Sequence, residues 1–239
     1  MKRVQIPLRH FFATPPTPCP YLPDRLERKV VTLLSGEDPD HLHEALSQVG
    51  FRRSQDLAYR PACDGCNACI PVRIPVRDFM QTKSHRRVNC RNNGVTGFAM
   101  PPLATHEHFG LFQQYLTNRH PGGGMADMGF SDYRAMVEDT PVETRIVEFR
   151  APSGALVGAM LCDRMQDSYS AVYSFFDPTE TRRSLGNYVV MRMIERTREL
   201  GLPYLYLGYW ISNSRKMAYK ARFQPLEALG AGGWKRLES

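Results

Sequence analysis

Between Thr144 and Trp210 the apolar pattern changes period twice, and that change restricts the fold more than any other feature of the chain. Thr144–Arg150, Ala155–Cys162 and Ser168–Phe176 read as strands. Pro152-Ser153-Gly154 reads as the turn that pairs the first two, and Asp177-Pro178 stops the third. A helical period then takes over. Leu185, Val189, Met193 and Leu200 share one face of a helix from about Leu185 to Leu200, with Gly201 as its terminator. Tyr204–Trp210 returns to a strand, and a short helix follows around Arg215–Lys220. A hairpin joined to a strand–helix–strand unit predicts an α+β fold, a mixed sheet flanked by helices.

The 239 residues allow one large domain or two small ones. Pro15, Pro16, Pro18, Pro20 and Pro23 make the first 35 or so residues an extended, irregular segment. A helix then starts at the N-cap Asp38 with Pro39 in its first turn. Leu42, Ala45, Leu46 and Val49 form its apolar stripe, and Gly50 ends it. Short strands are expected at 51–53, 57–60 and 72–76. The stretch 77–103 is polar and broken by Asn92-Asn93-Gly94 and Pro101-Pro102, which puts a domain boundary near 103. Residues 1–103 thus form a smaller, cysteine-containing α+β domain, packed on a larger domain of residues 104–239. A helix over His106–Arg119 opens the larger domain, with Phe109, Phe112, Tyr115 and Leu116 on one side. Gly122–Gly124 makes a flexible loop after it.

The net charge is +7, and it is unevenly spread. Residues 1–103 carry 15 Lys/Arg against 9 Asp/Glu, whereas residues 104–239 carry 16 against 15. A positive field on one half attracts polyanions, most commonly nucleic acid. The sequence contains no apolar run long enough for a membrane span, and no continuous apolar stretch follows the basic N-terminus. Six cysteines without a signal peptide suggest reduced thiols in a cytoplasm.

Four motifs carry candidate chemistry. Arg182-Arg183-Ser184-Leu185-Gly186 leads directly into a helix, where backbone N–H groups and arginines can hold an anion. The turn resembles the phosphate-contacting turn of GNAT acyltransferases, but Tyr188 replaces its final small residue, so a coenzyme A pyrophosphate would fit poorly. Lys83, Arg86, Arg87 and Arg91 cluster in nine residues, read as a charged loop that contacts RNA phosphates together with Arg182 and Arg183. Lys216 and Lys220, four apart on the expected short helix, face one way beside Arg215 and Tyr219, a cationic wall suited to a carboxylate or phosphate. Cys63, Cys66 and Cys69 form two overlapping C-x-x-C units, with Cys19 or Cys90 as candidate fourth ligand of a metal or iron–sulfur site. Free thiols without metal are the alternative.

Three segments, Cys19–Pro23, Tyr59–Arg73 and Gly208–Pro225, together resemble the aminoacyl-tRNA–protein transferases. The length and triple-cysteine form resemble the short bacterial branch, whose members move leucine to proteins beginning with Asp or Glu. The resemblance spans nearly the whole chain. It implies a cytoplasmic enzyme of the N-degron pathway with a GNAT-like C-terminal domain. Its partners would be leucyl-tRNA and proteins with N-terminal Asp or Glu, with no membrane and no DNA. The basic half would meet tRNA, and Arg215, Lys216 and Lys220 would meet the acceptor's carboxylate. Tyr209 and Tyr219 are the candidate polar groups near the reacting centre. The eukaryotic arginyl relatives begin with a C-x-x-C, but Leu22 stands three residues after Cys19 here. No cofactor is therefore expected as a requirement, with metal or iron–sulfur binding at Cys19, Cys63, Cys66 and Cys69 kept as an alternative. Three other readings remain: an arginyl donor, a non-catalytic thiol or metal redox sensor that binds RNA, and a small-molecule N-acetyltransferase, which Tyr188 argues against.

Overall fold

A computed structural model describes residues 9–238. The first eight residues of the Pro-rich segment lie outside the described residues. In chain order come β1 (Phe12–Ala13), β2 (Thr17–Pro18), β3 (Leu26–Glu27), β4 (Lys29–Leu33), α1 (Pro39–Gln48), β5 (Arg52–Ser54), β6 (Leu57–Pro61), β7 (Ile70–Pro75), α2 (Lys83–Arg91) and β8 (Thr96–Met100). Then follow α3 (His106–Arg119), α4 (Phe130–Glu138), β9 (Thr144–Arg150), β10 (Leu156–Arg164), β11 (Ser168–Phe176), α5 (Leu185–Glu199), β12 (Tyr204–Trp210), β13 (Glu227–Gly230) and β14 (Gly233–Arg236). Two 3₁₀ turns, Thr181–Arg183 and Ala218–Arg222, flank α5 and β12.

The large sheet has eight strands in the order β14-β13-β7-β12-β11-β10-β9-β8. Among the described residues only β11 and β12 run parallel, because α5 carries the chain across between them. This is the mixed sheet that the Thr144–Trp210 pattern predicts. Alternation sorts its buried side chains onto two faces. Val147, Phe149, Met160 and Leu205 pack with Val189 and Met193 of α5. Ile146, Ala159, Leu161 and Phe175 pack with Phe112 of α3 and Tyr133 of α4. The sheet also runs across residue 103. β7 lies between β12 and β13, and β8 forms the far edge beside β9. A separate four-stranded sheet, β1-β4-β6-β5, makes up the N-terminal part.

Several expectations need correction. The segment expected to be irregular contains β4, whose Val30-Val31-Thr32 run pairs residue for residue with β6. The expected charged loop at 83–91 is α2. Thr82 Oγ1 accepts the His85 amide at 3.2 Å, and His85 Nδ1 accepts the Thr82 amide at 3.3 Å, so a capping box starts a helix with few apolar residues. The helix α4 has no counterpart in the sequence reading. On α1 the cap holds, since Asp38 Oδ1 accepts the His41 amide. The buried residues, however, are His43, Leu46 and Ser47, while Ala45 and Val49 are exposed.

His43 is buried because it belongs to an ionic tie between the two sheets. Asp163 on β10 is fully buried. Arg53 of β5 grips both of its oxygens at 2.7 Å, Thr144 Oγ1 donates to Oδ1 at 2.9 Å, and His43 Nε2 lies 3.1 Å from Oδ2. Burial alone would raise the Asp163 pKa, but the bonds and charges of His43 and Arg53 outweigh it and hold the carboxyl well below the usual carboxylate range. A carboxylate with a depressed folded-state pKa contributes stability above its unfolded value, and that contribution fades as pH falls below about 4.

Asp163→Asn should lower the stability measured by chemical denaturation by about 3–5 kcal/mol at neutral pH, because it strands Arg53 without its counter-ion. Adding Arg53→Met to Asp163→Leu should recover much of the loss. A single variant as stable as wild type would show that the tie does not hold the sheets together.

Candidate functional site

The strands β11 and β12 stay paired for only three residues, Ser168 with Tyr204, Tyr169 with Leu205 and Ser170 with Tyr206. Each then bulges against its antiparallel partner, between Leu161 and Cys162 of β10 on one side and between Tyr206 and Gly208 on the other. Beyond that point the two strands part. Arg52 of β5, 8% exposed, enters the gap. Its Nη1 donates to Ser170 Oγ at 2.9 Å and its Nη2 to the Ala171 carbonyl. Gly208 has φ +77°, and a Cβ there would lie 3.2 Å from Arg52 Nε. The position therefore admits glycine on both conformational and steric grounds. On the opposite lip, Lys220 Nζ donates to the Tyr209 carbonyl at 2.6 Å. Two buried cations thus satisfy the carbonyls that strand pairing leaves open.

The cationic wall expected from Lys216 and Lys220 does not form. No single helix carries both lysines, because Lys216 lies in the hydrogen-bonded turn that starts at Ser214 and Lys220 in the 3₁₀ turn Ala218–Arg222 that follows it. Lys216 is exposed and Lys220 is buried. Burial first, and the Arg52 charge second, lower the Lys220 pKa to about 7. Arg215 is exposed at the surface. Lys216 instead lies beside the end of α3. Burial, then the charges of Lys216 and Arg119, lower the pKa of His120. His120 Nε2 is 3.4 Å from the Tyr115 hydroxyl, and the Arg119 guanidinium sits 5.6 Å from the Phe176 ring centre.

The two candidate tyrosines separate. Tyr209 is 4% exposed, and its hydroxyl lies 2.9 Å from the Gly50 carbonyl and 3.2 Å from the Tyr59 carbonyl. It ties β12 to the N-terminal sheet, and its hydroxyl is spent on main-chain acceptors. Tyr219 packs edge-on against Phe223, and burial, with Tyr115 as a neighbour, pushes its hydroxyl up to about 12. Tyr173 of β11 shows the same trend, raised by burial and by Tyr115 and Tyr21. Tyrosines from the N-terminal part and from α3 therefore meet over the C-terminal end of β11.

Lys83, Arg86, Arg87 and Arg91 come together on α2, and with Cys90 they line an open hollow of about 570 Å³. Arg91 Nη1 donates to the Arg182 carbonyl at 3.1 Å, which brings the Thr181–Arg183 turn alongside. Arg183 is partly committed, since its Nε donates to Asn92 Oδ1 at 3.1 Å and its Nη1 is 3.6 Å from Glu180. The expected anion cradle at the start of α5 is closed. A Cβ on Gly186 would stand 2.8 Å from the Phe176 ring, so packing is what requires glycine there. The Tyr188 hydroxyl is buried and donates to the Val95 carbonyl.

A cavity of about 430 Å³ lies between the N-terminal sheet and β12. Cys19, Cys63, Cys66 and Cys69 all line it, so the block and the distant Cys19 do meet. All six cysteines are free thiols, with Cys90 exposed on α2 and Cys162 buried in the core. Cys63 Sγ accepts the Arg28 amide at 3.5 Å. Burial first, then the neighbouring Cys19, Cys63, Cys66 and Glu27, push the Cys69 pKa up to about 12, which makes it a neutral thiol. Among the described residues no group of three or more His, Cys, Asp or Glu is arranged to hold a metal ion. Arg52, Tyr21, Arg119 and His120 join the site without having been singled out. Arg52 carries the one readable signal, two adjacent arginines in a short strand, which need buried partners whenever that strand packs on both sides.

Residues 107–230 match the family described as "Arginine-tRNA-protein transferase, C terminus", and residues 17–87 match its N-terminal counterpart. The chain is 56% identical over 227 residues to the aspartate/glutamate leucyltransferase of Granulibacter bethesdensis, covering 95% of this chain and 85% of that protein. It is 57% identical over 226 residues to the protein of the same name from Paramagnetospirillum magneticum, covering 95% and 93%. Among solved structures, L-PGS from Bacillus licheniformis aligns with a TM-score of 0.47 and 13% identity, over 60% of this chain and 46% of that one.

Lys220 yields a pH test. Its pKa falls from about 10.5 to about 7 on folding, so the folded state sheds this proton first and its contribution to stability rises as pH climbs through that window. The stability of wild type relative to Lys220→Met should increase between pH 7 and 9.5, by up to about 1.4 kcal/mol per unit. Parallel pH profiles of the two proteins would show that Lys220 does not titrate there.

Proposed function

The chain belongs to the arginine-tRNA–protein transferase family, and on that premise we propose that it moves leucine from leucyl-tRNA to the α-amine of proteins beginning with Asp or Glu. The observation that supports this reading most directly is the parted end of β11 and β12. It offers a protected gap at the carboxyl ends of two parallel strands, where open α/β sheets commonly take ligands. The basic hollow on α2 adjoins the Arg182 turn that follows β11, and Arg119 of α3 lies beside Phe176 at the end of that strand.

The reaction is aminolysis of an ester. The neutral acceptor amine attacks the leucyl carbonyl, the bond to the ribose oxygen of the terminal adenosine breaks, and the proton lost by the amine leaves with that oxygen. The ester is already activated, so holding amine and carbonyl in contact supplies much of the rate. Main-chain groups facing the gap are the candidate donors to the developing oxyanion. Arg52 and Lys220 act as positioning residues, since each holds a lip of the gap open by binding its carbonyl. No cofactor is required by this chemistry.

Lys216 and Arg119, beside His120, form the candidate site for the acceptor's carboxylate, and exposed Arg215 precedes Lys216 in the chain. Lys83, Arg86, Arg87, Arg91 and Arg182 form the candidate path for tRNA phosphates. Among the described residues no helix is long and apolar enough to cross a membrane, and we place the reaction in the cytoplasm, where leucine would mark its acceptors for degradation.

Purified protein should transfer labelled leucine from leucyl-tRNA to a peptide beginning with Asp or Glu, and not to one beginning with Ala. Arginyl-tRNA, run alongside, should give no product. Transfer to neither acidic peptide would end this reading. Combining Lys83→Ala, Arg86→Ala and Arg87→Ala should weaken tRNA binding and flatten its log–log salt dependence by about two to three units, since each phosphate contact contributes just under one. An unchanged slope would remove α2 from the tRNA path. Lys216→Ala should raise KM for the acidic peptide by roughly two- to fivefold while leaving KM for leucyl-tRNA near its original value. Equal changes in both would move Lys216 out of the acceptor site.

A further inference from the structure

We infer that the thiol-lined cavity is the pocket for the leucyl side chain of the donor, and that its wall and rim select leucine over arginine. The inference rests on the leucyl-tRNA reading above and names the site for one end of that substrate.

The cavity has apolar lining residues and cations at its exposed edge. Tyr59, Ile70, Pro71, Ile211, Leu229 and Cys69 line its wall. Arg25 and Arg60 are exposed residues at its edge, and Lys29 is half-buried beside them. A leucyl-adenosine end carries its groups in the same order, with a branched hydrocarbon at the tip, then an ester, then anionic phosphodiesters. At about 430 Å³ the cavity lies within the range of small-ligand pockets and has room for the leucyl group and its ester. The thiols suit a hydrocarbon as well. With its pKa near 12, Cys69 is uncharged at neutral pH and behaves as a small, polarizable apolar group.

The cavity also lies where the chemistry needs it. Tyr209 and Ile211 line it, and they lie just beyond Tyr206, the last residue of β12 that pairs with β11. Tyr21, on its wall, is a neighbour of Tyr173 on the opposite lip. A side chain held in the cavity would leave its ester beside the gap.

Charge supplies the discrimination. Glu27 is the one carboxylate among the lining residues, and Lys29 Nζ already pairs with it at 2.9 Å while lying 5.4 Å from the Tyr59 ring centre. An arginyl guanidinium entering here would meet Arg25, Lys29 and Arg60 and find no free counter-ion. That is rejection by repulsion rather than by lost contact. An acceptor's acidic side chain fits less well, because its carboxylate would sit on the apolar wall with the cations behind it.

Site-resolved alkylation of the full-length, reduced protein by N-ethylmaleimide tests this. Labelling of Cys63 and Cys66 is read by peptide mass, with exposed Cys90 as internal control. The probes are a hydrolysis-resistant 3′-leucylamido-adenosine, its arginyl equivalent and a Glu-Ala dipeptide. At ten times its dissociation constant the leucyl compound should slow labelling of Cys63 and Cys66 about tenfold, by occupancy, and leave Cys90 unchanged. The other two should not protect. Protection by the dipeptide instead would make the cavity the acceptor site, and equal protection by the arginyl compound would remove the selectivity. No protection, in a preparation that still transfers leucine to an acidic peptide, would overturn the pocket and leave the proposed reaction standing. Protection by the leucyl compound without transfer would sustain the pocket and overturn the acceptor assignment.

Discussion

Two adjacent arginines on one three-residue strand hold the molecule in its working arrangement. Arg53 binds Asp163, and Arg52 binds Ser170 and the Ala171 carbonyl. Asp163 and Ser170 are direct partners across β10 and β11, so β5 grips a matched pair on the large sheet. Buried ion pairs of this kind seldom add stability over an apolar replacement, because desolvation consumes the Coulombic gain. What they add is register. An arginine with no acceptor in a dry interior is costly, so a slip of the N-terminal sheet by one residue would strand both guanidiniums at once. Arg52 also occupies the space that continued pairing of β11 and β12 would need. The gap is thus sustained by the contact that docks the N-terminal part.

That coupling explains why the cysteine block and the transferase half cannot be treated as separate modules. The Tyr209 hydroxyl reaches back to Gly50 and Tyr59, β7 contributes a strand between β12 and β13, and the cavity has walls from both parts. Arg73 of β7 adds a lock on the other side. It lies 3.7 Å from the Tyr204 ring centre and 4.4 Å from that of Trp234, and it pairs with Glu227 at 2.8 Å, which fastens the C-terminal hairpin to the sheet. A change in the N-terminal sheet therefore bears on the gap through packed, hydrogen-bonded side chains.

The legible parts of the chain were those governed by local rules. β9, β10, β11 and α5 follow from period and turn residues, and α1 follows from the Asp38–Pro39 start. α2 escaped because its apolar content is small and its start depends on a histidine acting as acceptor, which few sequence patterns encode. The Lys216–Lys220 pairing failed because the two residues fall in successive turns and not on one helix, a break that sequence spacing does not carry. Nothing near Arg52 and Arg53 in the sequence names their acceptors, and only the three-dimensional position of Asp163 and Ser170, more than a hundred residues away, makes them interior. The approach of Cys19 to the Cys63–Cys69 block is likewise a property of sheet docking.

Charge counting by halves overstates the surface available to a polyanion for the same reason. Arg52, Arg53 and Arg73 belong to the basic half, yet all three are committed to internal partners. Of the cations left facing solvent, Lys83, Arg86, Arg87 and Arg91 gather on α2 and are joined by Arg182 from the other half, while Arg25 and Arg60 stand apart at the edge of the cavity. The electrostatic footprint is therefore a face assembled across the chain. Phe176, the last residue of β11, connects that face to the reacting gap. Gly186 of α5 packs against one side of its ring, while Tyr115 and Arg119 of α3 approach the other. A strand that shifted at Phe176 would disturb α5 and α3 together, so on the proposed reading a single aromatic side chain would set the spacing between the α2 face and the cations at the end of α3.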